Sequence, residues 1–211
     1  MEKTIFAVKG LSFMLDKNIK NIVFDFGGVL IDWNPRHLYR KYFKTEEEME
    51  YFLSRICTPQ WNALQDAGRP FAEAVARLDA EHPEYSEAIG IYFSRWDEMI
   101  GGAIERNVNL LRKCKKDGYG IYGLTNWSAE TLPRVMRKYD FFRLFDGIVV
   151  SGVEKCIKPD PKLYRILFER YGLKPSECLF IDDSPANLET AGKLGMHTSL
   201  PGQDAEELLN G

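Results

Sequence analysis

The chain has 211 residues, 45% hydrophobic and 28% charged, with a formal net charge of -3 from 28 Lys and Arg against 31 Asp and Glu. That length holds one full-sized core plus a small accessory module, and the composition excludes a disordered, fibrous or disulfide-stapled chain. The slight acidic excess argues against a nucleic-acid partner, which would require a basic face; the one basic run, Arg112 to Lys116, reads as the solvated end of a helix.

The opening MEKTIFAVKGLSFML holds an apolar stretch, but Lys9 and Gly10 interrupt it and no small-residue cleavage site follows. Met14 offers a second start, which would make residues 1–13 an appendage. Nothing later approaches the roughly 18 consecutive apolar residues of a membrane span. Cys57, Cys114, Cys156 and Cys178 lie far apart, with no CxxC pair and no His at zinc spacing. Reduced thiols, a cytoplasmic location and no membrane partner are expected.

Runs of β-branched and aromatic residues predict strands at 21–26, 119–125, 147–151, 178–182 and 197–200. The first four are short and apolar throughout, the pattern of strands buried on both faces of a parallel sheet. Helical patterns separate the later strands at 104–117, 128–139, 161–171 and 185–194. Asp160-Pro161 and Ser184-Pro185 each place a capping residue before a proline at the first helical position. Strand alternating with helix implies right-handed βαβ crossovers.

The interval 35–102 breaks this rhythm and reads as helix at 35–43, 46–56, 70–80 and 86–100, with breaks at Thr58-Pro59, Ala67-Gly68 and His82-Pro83. The expected organisation is therefore a core of residues 1–34 and 103–211 with a helical cap at 35–102, hinged near Trp33-Asn34-Pro35 and Gly101-Gly102.

Ligands of an open α/β sheet bind beyond the carboxyl ends of its strands. Here those ends carry Asp25-Phe26-Gly27-Gly28, Thr125-Asn126 and Asp182-Asp183-Ser184, and Lys158 opens the loop Lys158-Pro159-Asp160-Pro161. Three carboxylates at one sheet edge repel unless a cation shares them, and an oxygen-only donor set with room for water and phosphate oxygens describes Mg²⁺. Lys158 adds positive charge, and Thr125 can donate to a phosphate oxygen. Each feature alone has a plainer reading, as a turn, a helix cap or a solvated loop. Four strand ends in chain order with four residue types that one reaction needs do not.

FDFGGVL at 24–30, LTNWS at 124–128, KPDPKLY at 158–164 and FIDDSPANLETAGKLGM at 180–196 resemble, in order and spacing, the four motifs of the haloacid dehalogenase superfamily. The resemblance implies a Rossmann-like parallel-sheet core with a helical C1-type cap inserted after the first strand, as in subfamily IA. It implies Asp25 as nucleophile, Thr125 and Asn126 at the substrate phosphate, and Lys158 as the lysine that neutralises nucleophile and phosphate. Mg²⁺ would be held by Asp25, the backbone carbonyl of Gly27 and Asp183, with Asp182 supporting; Asn187 falls where many members carry an outer-shell acid. The implied activity is a Mg²⁺-dependent phosphatase acting on a small phosphorylated metabolite, such as a sugar phosphate, through an aspartyl-phosphate.

One position departs from that pattern. Phosphatases of the family usually carry a second Asp two residues after the nucleophile, as acid for the leaving alcohol and base for the attacking water; here Gly27 stands there. General acid–base catalysis contributes about 10²- to 10⁴-fold, so the leaving group must be intrinsically good, or a cap residue or water must supply the proton. Two alternatives follow. A metal-independent 2-haloacid dehalogenase also lacks this acid, but it typically lacks the acid pair retained at Asp182-Asp183 and needs a cationic cradle, for which Arg55 and Arg69 are the candidates. A catalytically weak module that only binds a phosphorylated ligand is the other. In the cap, the loop 61–69, with Trp61, Asn62, Gln65, Asp66 and Arg69, is a candidate reader of the leaving group, Arg69 being a candidate substrate contact. Trp61 and Leu64 at helical spacing read equally well as core, and Trp33 and Trp127 either line the entrance or pack cap against core.

Overall fold

The computed structural model describes residues 18–202, so the appendage expected at 1–13 lies outside the described residues. β1 (Asn21–Phe24), β4 (Gly120–Thr125), β5 (Gly147–Val150), β6 (Cys178–Ile181) and β7 (His197–Ser199) form one parallel sheet in the order β5-β4-β1-β6-β7. Four of the strands end before the position expected: Asp25 and Phe26, Ser151, Asp182 and Leu200 have left the ladder.

Side chains alternate across β1. Ile22 and Phe24 join one buried cluster with Val108 and Leu111 of α6 (Glu105–Lys116) and with Leu132 and Val135 of α7 (Leu132–Lys138). Val23 joins the other, with Leu163, Tyr164 and Leu167 of α9 (Pro161–Tyr171) and Ala191 of α10 (Pro185–Lys193). Helices therefore cover both faces, which is why the strands read as unbroken apolar runs. Asp160 caps α9 by accepting from the Lys162 N–H at 2.8 Å, whereas Ser184 makes no side-chain cap to α10. The helix expected from 128 starts at Leu132, because Ser128 is drawn into a turn in which its Oγ accepts from the Glu130 N–H at 3.2 Å.

A short antiparallel ribbon of β2 (Ile31–Trp33) and β3 (Ile100–Ala103) brackets a helical segment. It contains α1 (Arg36–Tyr39), α2 (Glu46–Arg55), α3 (Pro59–Asp66), α4 (Phe71–Glu81) and α5 (Ser86–Ser94). The helix expected at 35–43 is a single turn, and the one expected at 86–100 stops at Ser94, where a 3-10 turn at Trp96–Met99 leads into β3. The larger correction is at 61–69, expected as a loop: it is the body and exit of α3. Thr58 accepts from the Trp61 N–H at 3.0 Å and Pro59 opens the helix, the same signal that opens α9.

The segment is docked on the sheet edge. One apolar cluster runs from Phe24 and Phe26 through Trp127 to Trp61, Tyr92, Phe52 and Tyr39. Ser151, first residue of the short α8 (Ser151–Glu154), donates its hydroxyl to the Asp66 carbonyl at 2.6 Å, and the Phe71 N–H donates to Glu130 at 2.9 Å. All four cysteines are buried free thiols. The basic run ends α6 at the surface, where Lys115 pairs with Asp146 and Lys113 with Asp117. Among the described residues no helix is long and apolar enough to cross a membrane.

Losing the α3 cap is expected to cost about 1 kcal/mol. Thr58→Ala should therefore lower the urea midpoint of unfolding without changing the slope of the transition, read by circular dichroism.

Candidate active site

Register sets the first pair. Phe24 lies opposite Ile181 across β1 and β6, so the following residues, Asp25 and Asp182, leave the sheet side by side. Between them sits the Lys158 ammonium, 3.0 Å from Asp25 Oδ1 and 2.7 Å from Asp182 Oδ2, with a third donation to the Leu124 carbonyl at 2.8 Å. Lys158 is buried, and its three donors are all used. The Phe26 N–H also donates to Asp25 Oδ1, at 2.7 Å. Burial pushes the Asp25 carboxyl up to about 6; Lys158 opposes that rise and the Asp182 charge adds to it.

Two amides hold this centre. Asn126 accepts from the Lys158 N–H at 2.8 Å and donates to the Lys158 carbonyl at 2.9 Å, across a loop whose Lys158–Pro159 peptide is cis. Asn126 was expected at the substrate phosphate, but both ends of its amide are engaged by the Lys158 backbone, and it positions the lysine. Asn187 donates to both oxygens of Asp182 at 3.0 Å, and the Ser184 N–H adds a bond of 2.8 Å. Asp182 is thus tied down from all sides, while Asp183 opens to solvent.

Asp25, Asp182 and Asp183 bring one carboxylate oxygen each within 4.8 Å of one another, a group able to hold a metal ion. Burial, and then the Asp182 charge, raise the Asp183 pKa. Gly28 makes room for this carboxylate: it has φ +73°, and a Cβ there would lie 2.2 Å from Asp183 Oδ2. Thr125 Oγ1 is buried with no hydrogen-bond partner among the described residues. An unsatisfied buried hydroxyl is costly.

Above Gly27 lies a cavity of about 70 Å³, with Asp66, Asn126, Trp127, Trp33 and Trp96 among its walls. A Cβ at Gly27 would meet Trp127 Cζ3 at 3.6 Å, an ordinary van der Waals contact. That indole is held by its Nε1–H bond to Thr131 Oγ1 at 3.1 Å and by an edge contact with Trp96. Trp127 therefore both lines the cavity and packs cap on core. Asp66 ends α3; its carboxylate accepts from Asn62 Nδ2 at 2.9 Å and from the Ser128 N–H. Burial pushes the Asp66 carboxyl up to about 7, with the Ser128 N–H opposing and the Asp25 charge adding. Arg69 is turned away: its guanidinium donates to Gln65 Oε1 at 2.8 Å and the Trp61 carbonyl at 3.3 Å, and lies over the Trp61 ring. Of the pair at helical spacing, Trp61 is buried and Leu64 exposed, and Arg55 also faces solvent.

A comparison with protein-family models matches residues 19–195 to the haloacid dehalogenase-like hydrolases. The chain belongs to this family. Like other haloacid dehalogenase-like hydrolases it has phosphatase-named relatives. It is 25% identical over 177 residues to the sesquiterpene phosphatase astK of Aspergillus oryzae, covering 84% of this chain and 87% of that one. It is 27% identical over 193 residues to the pyrophosphatase PpaX of Bacillus velezensis, covering 88% and 84%. Among solved structures, a haloacid dehalogenase family enzyme of Bacteroides thetaiotaomicron, in complex with magnesium and inorganic phosphate, superposes with a TM-score of 0.63 at 25% identity, covering 87% of this chain and 94% of that one.

A carboxyl whose pKa is raised by folding holds its proton in the native state where the unfolded chain has lost it, so stability falls as pH rises through that window. For Asp66 the window runs from the ordinary carboxylate range to about 7. Asp66→Asn, which cannot ionise, should melt higher than the wild type at about pH 8, with the difference closing by about pH 4; differential scanning calorimetry at the two pH values checks the sign.

Proposed function

We propose that this haloacid dehalogenase-like hydrolase is a Mg²⁺-dependent phosphatase that transfers a phosphoryl group from a small phosphorylated metabolite to Asp25. The observation that carries this reading is the unpartnered Thr125 hydroxyl at the strand end beside the Lys158-held Asp25. A tetrahedral oxyanion is the ligand that such a hydroxyl and ammonium jointly recognise. The phosphatase names of astK and PpaX, and the magnesium and phosphate in the Bacteroides enzyme, point the same way.

The donor set fits Mg²⁺. Three acids against one lysine leave the site with excess negative charge, every donor is oxygen, and Gly28 leaves open the space beside Asp183. Asp25, the Gly27 carbonyl and Asp183 would hold the ion, with Asp182 as support. When bound, it offsets carboxylate repulsion and draws charge from the phosphate oxygens. The Asp25 carboxylate attacks phosphorus, Thr125 donates to a phosphoryl oxygen, the Lys158 ammonium offsets negative charge through its position beside Asp25, and water then hydrolyses the aspartyl-phosphate.

The helical segment 35–102 acts in this proposal as a cap that excludes water and reads the leaving group. Beside the inner cavity, sharing Trp33 and Asn62 with it, lies a second space of about 350 Å³ whose walls include Leu53, Pro59 and Tyr92. Its lining mixes apolar side chains with the polar Asn34, Arg36, Thr58 and Asn62, which suits a sugar or another leaving group with both a polar and an apolar side.

The test is a screen of aryl and alkyl phosphates, anomeric sugar phosphates and 2-haloacids, with Mg²⁺ and with EDTA, on wild type and Asp25→Asn. Phosphate release is expected with Mg²⁺ only, and is abolished by Asp25→Asn. Phosphate release that survives full chelation, or chloride release from a 2-haloacid without metal, would overturn the proposal.

A further inference from the structure

We propose that Asp66, reaching the site from the cap, is the acid and base of this reaction, standing in for the carboxylate that Gly27 lacks. This role rests on the phosphatase reading of the site. The cavity that Gly27 opens toward is walled on the cap side by Asp66. Gly27 itself supplies no carboxyl, and the Trp127 indole lies 3.6 Å from where its Cβ would stand. A carboxyl group descending from the cap faces the same space.

The local structure favours a protonated acid there. Asp66 is the last residue of α3, where the helix dipole disfavours negative charge. Burial raises its pKa, outweighing the Ser128 N–H bond that opposes the rise, and the Asp25 charge adds to it. Asn62, one turn earlier on α3, aims the group. The Asp66 main-chain carbonyl, which accepts from Ser151, ties this point to the sheet edge beside the side chain, which accepts from the Ser128 N–H. Replacing the carboxyl by an amide leaves the Ser151 bond to the main chain in place.

The two half-reactions balance. In the first, the Asp25 oxygen bonds to phosphorus, the bond from phosphorus to the leaving oxygen breaks, and the Asp66 proton passes to that oxygen to release the alcohol. In the second, the Asp66 carboxylate takes a proton from water as the water oxygen bonds to phosphorus and the Asp25 oxygen leaves. Inorganic phosphate departs, and both side chains return to their starting forms.

The test uses the full chain with Mg²⁺ and two probes, p-nitrophenyl phosphate, whose leaving group needs no proton, and propyl phosphate, whose leaving group does. Asp66→Asn is expected to lose about 10²- to 10⁴-fold on propyl phosphate. On p-nitrophenyl phosphate it should give a burst of one equivalent of p-nitrophenolate and then turn over slowly, with phosphorylated Asp25 accumulating in the intact mass. Asp66→Glu, which keeps an ionisable acid, should regain part of the propyl phosphate rate and serves if the Asn variant folds poorly. Wild-type rates on propyl phosphate in the Asn variant, or an equal loss on both probes with no burst, would overturn the role of Asp66. A wild-type chain that releases no phosphate from p-nitrophenyl phosphate would instead overturn the phosphatase reading itself.

Discussion

The Lys158 ammonium, buried between Asp25 and Asp182, is the interaction on which the rest of the site depends. An ammonium without water contact is tolerable only when its hydrogens are all taken by well-placed acceptors. Meeting that condition requires the register of β1 against β6, the loop that Asn126 clamps from the end of β4, and the Asn187 amide on the far side of Asp182. Removing the lysine would leave two buried carboxylates facing each other. A lysine chain on one loop thereby ties three strand ends to one geometry.

Charge at this edge is deliberately unbalanced. One lysine does not neutralise three acids, and the third, Asp183, stands toward solvent, where a divalent ion with its remaining waters can approach. Gly28 is needed for steric reasons, since any side chain would occupy the space of the Asp183 carboxylate. Gly27 differs in kind: a Cβ would fit, but beyond it lies the Trp127 indole, locked to Thr131 and set against Trp96. The Trp127 indole thus lies against the position at which Gly27 stands. In the proposed reaction the acid–base chemistry passes to Asp66 of α3, which walls the cavity above Gly27.

Much of this was legible from residue patterns. Apolar runs located the five strands of the main sheet, and the polar residues ending them named Asp25, Thr125, Lys158, Asp182 and Asp183, because motif residues at strand ends face one sheet edge whatever the cap does. The reading failed where local signals compete. α3 was taken for a loop although Thr58-Pro59 carries the same start signal as Asp160-Pro161. Its mixture of polar and aromatic residues resembled a loop, and only burial of Trp61 and Gln65 marks its inner face. The ribbon of β2 and β3 is too short to show a period, and its strands pair across the whole cap. The family motif puts Asn126 at the substrate phosphate, and its place in the polar stretch 61–69 makes Arg69 a candidate substrate contact. Their partners, the Lys158 backbone and helix α3, are contacts that only packing reveals.

By itself the sequence determined the parallel-sheet core, the helical insertion and the acids and lysine that gather at its edge, because strand and helix periods and short motifs are local properties of the chain. Tertiary structure alone decided the rest. It chose which carboxylates share Lys158, it freed Thr125 and consumed Asn126, and it brought Asp66 over Gly27 beside a fixed indole. Those are meetings of segments remote in the chain, set by how apolar faces pack against one another, and no local pattern of residues encodes them.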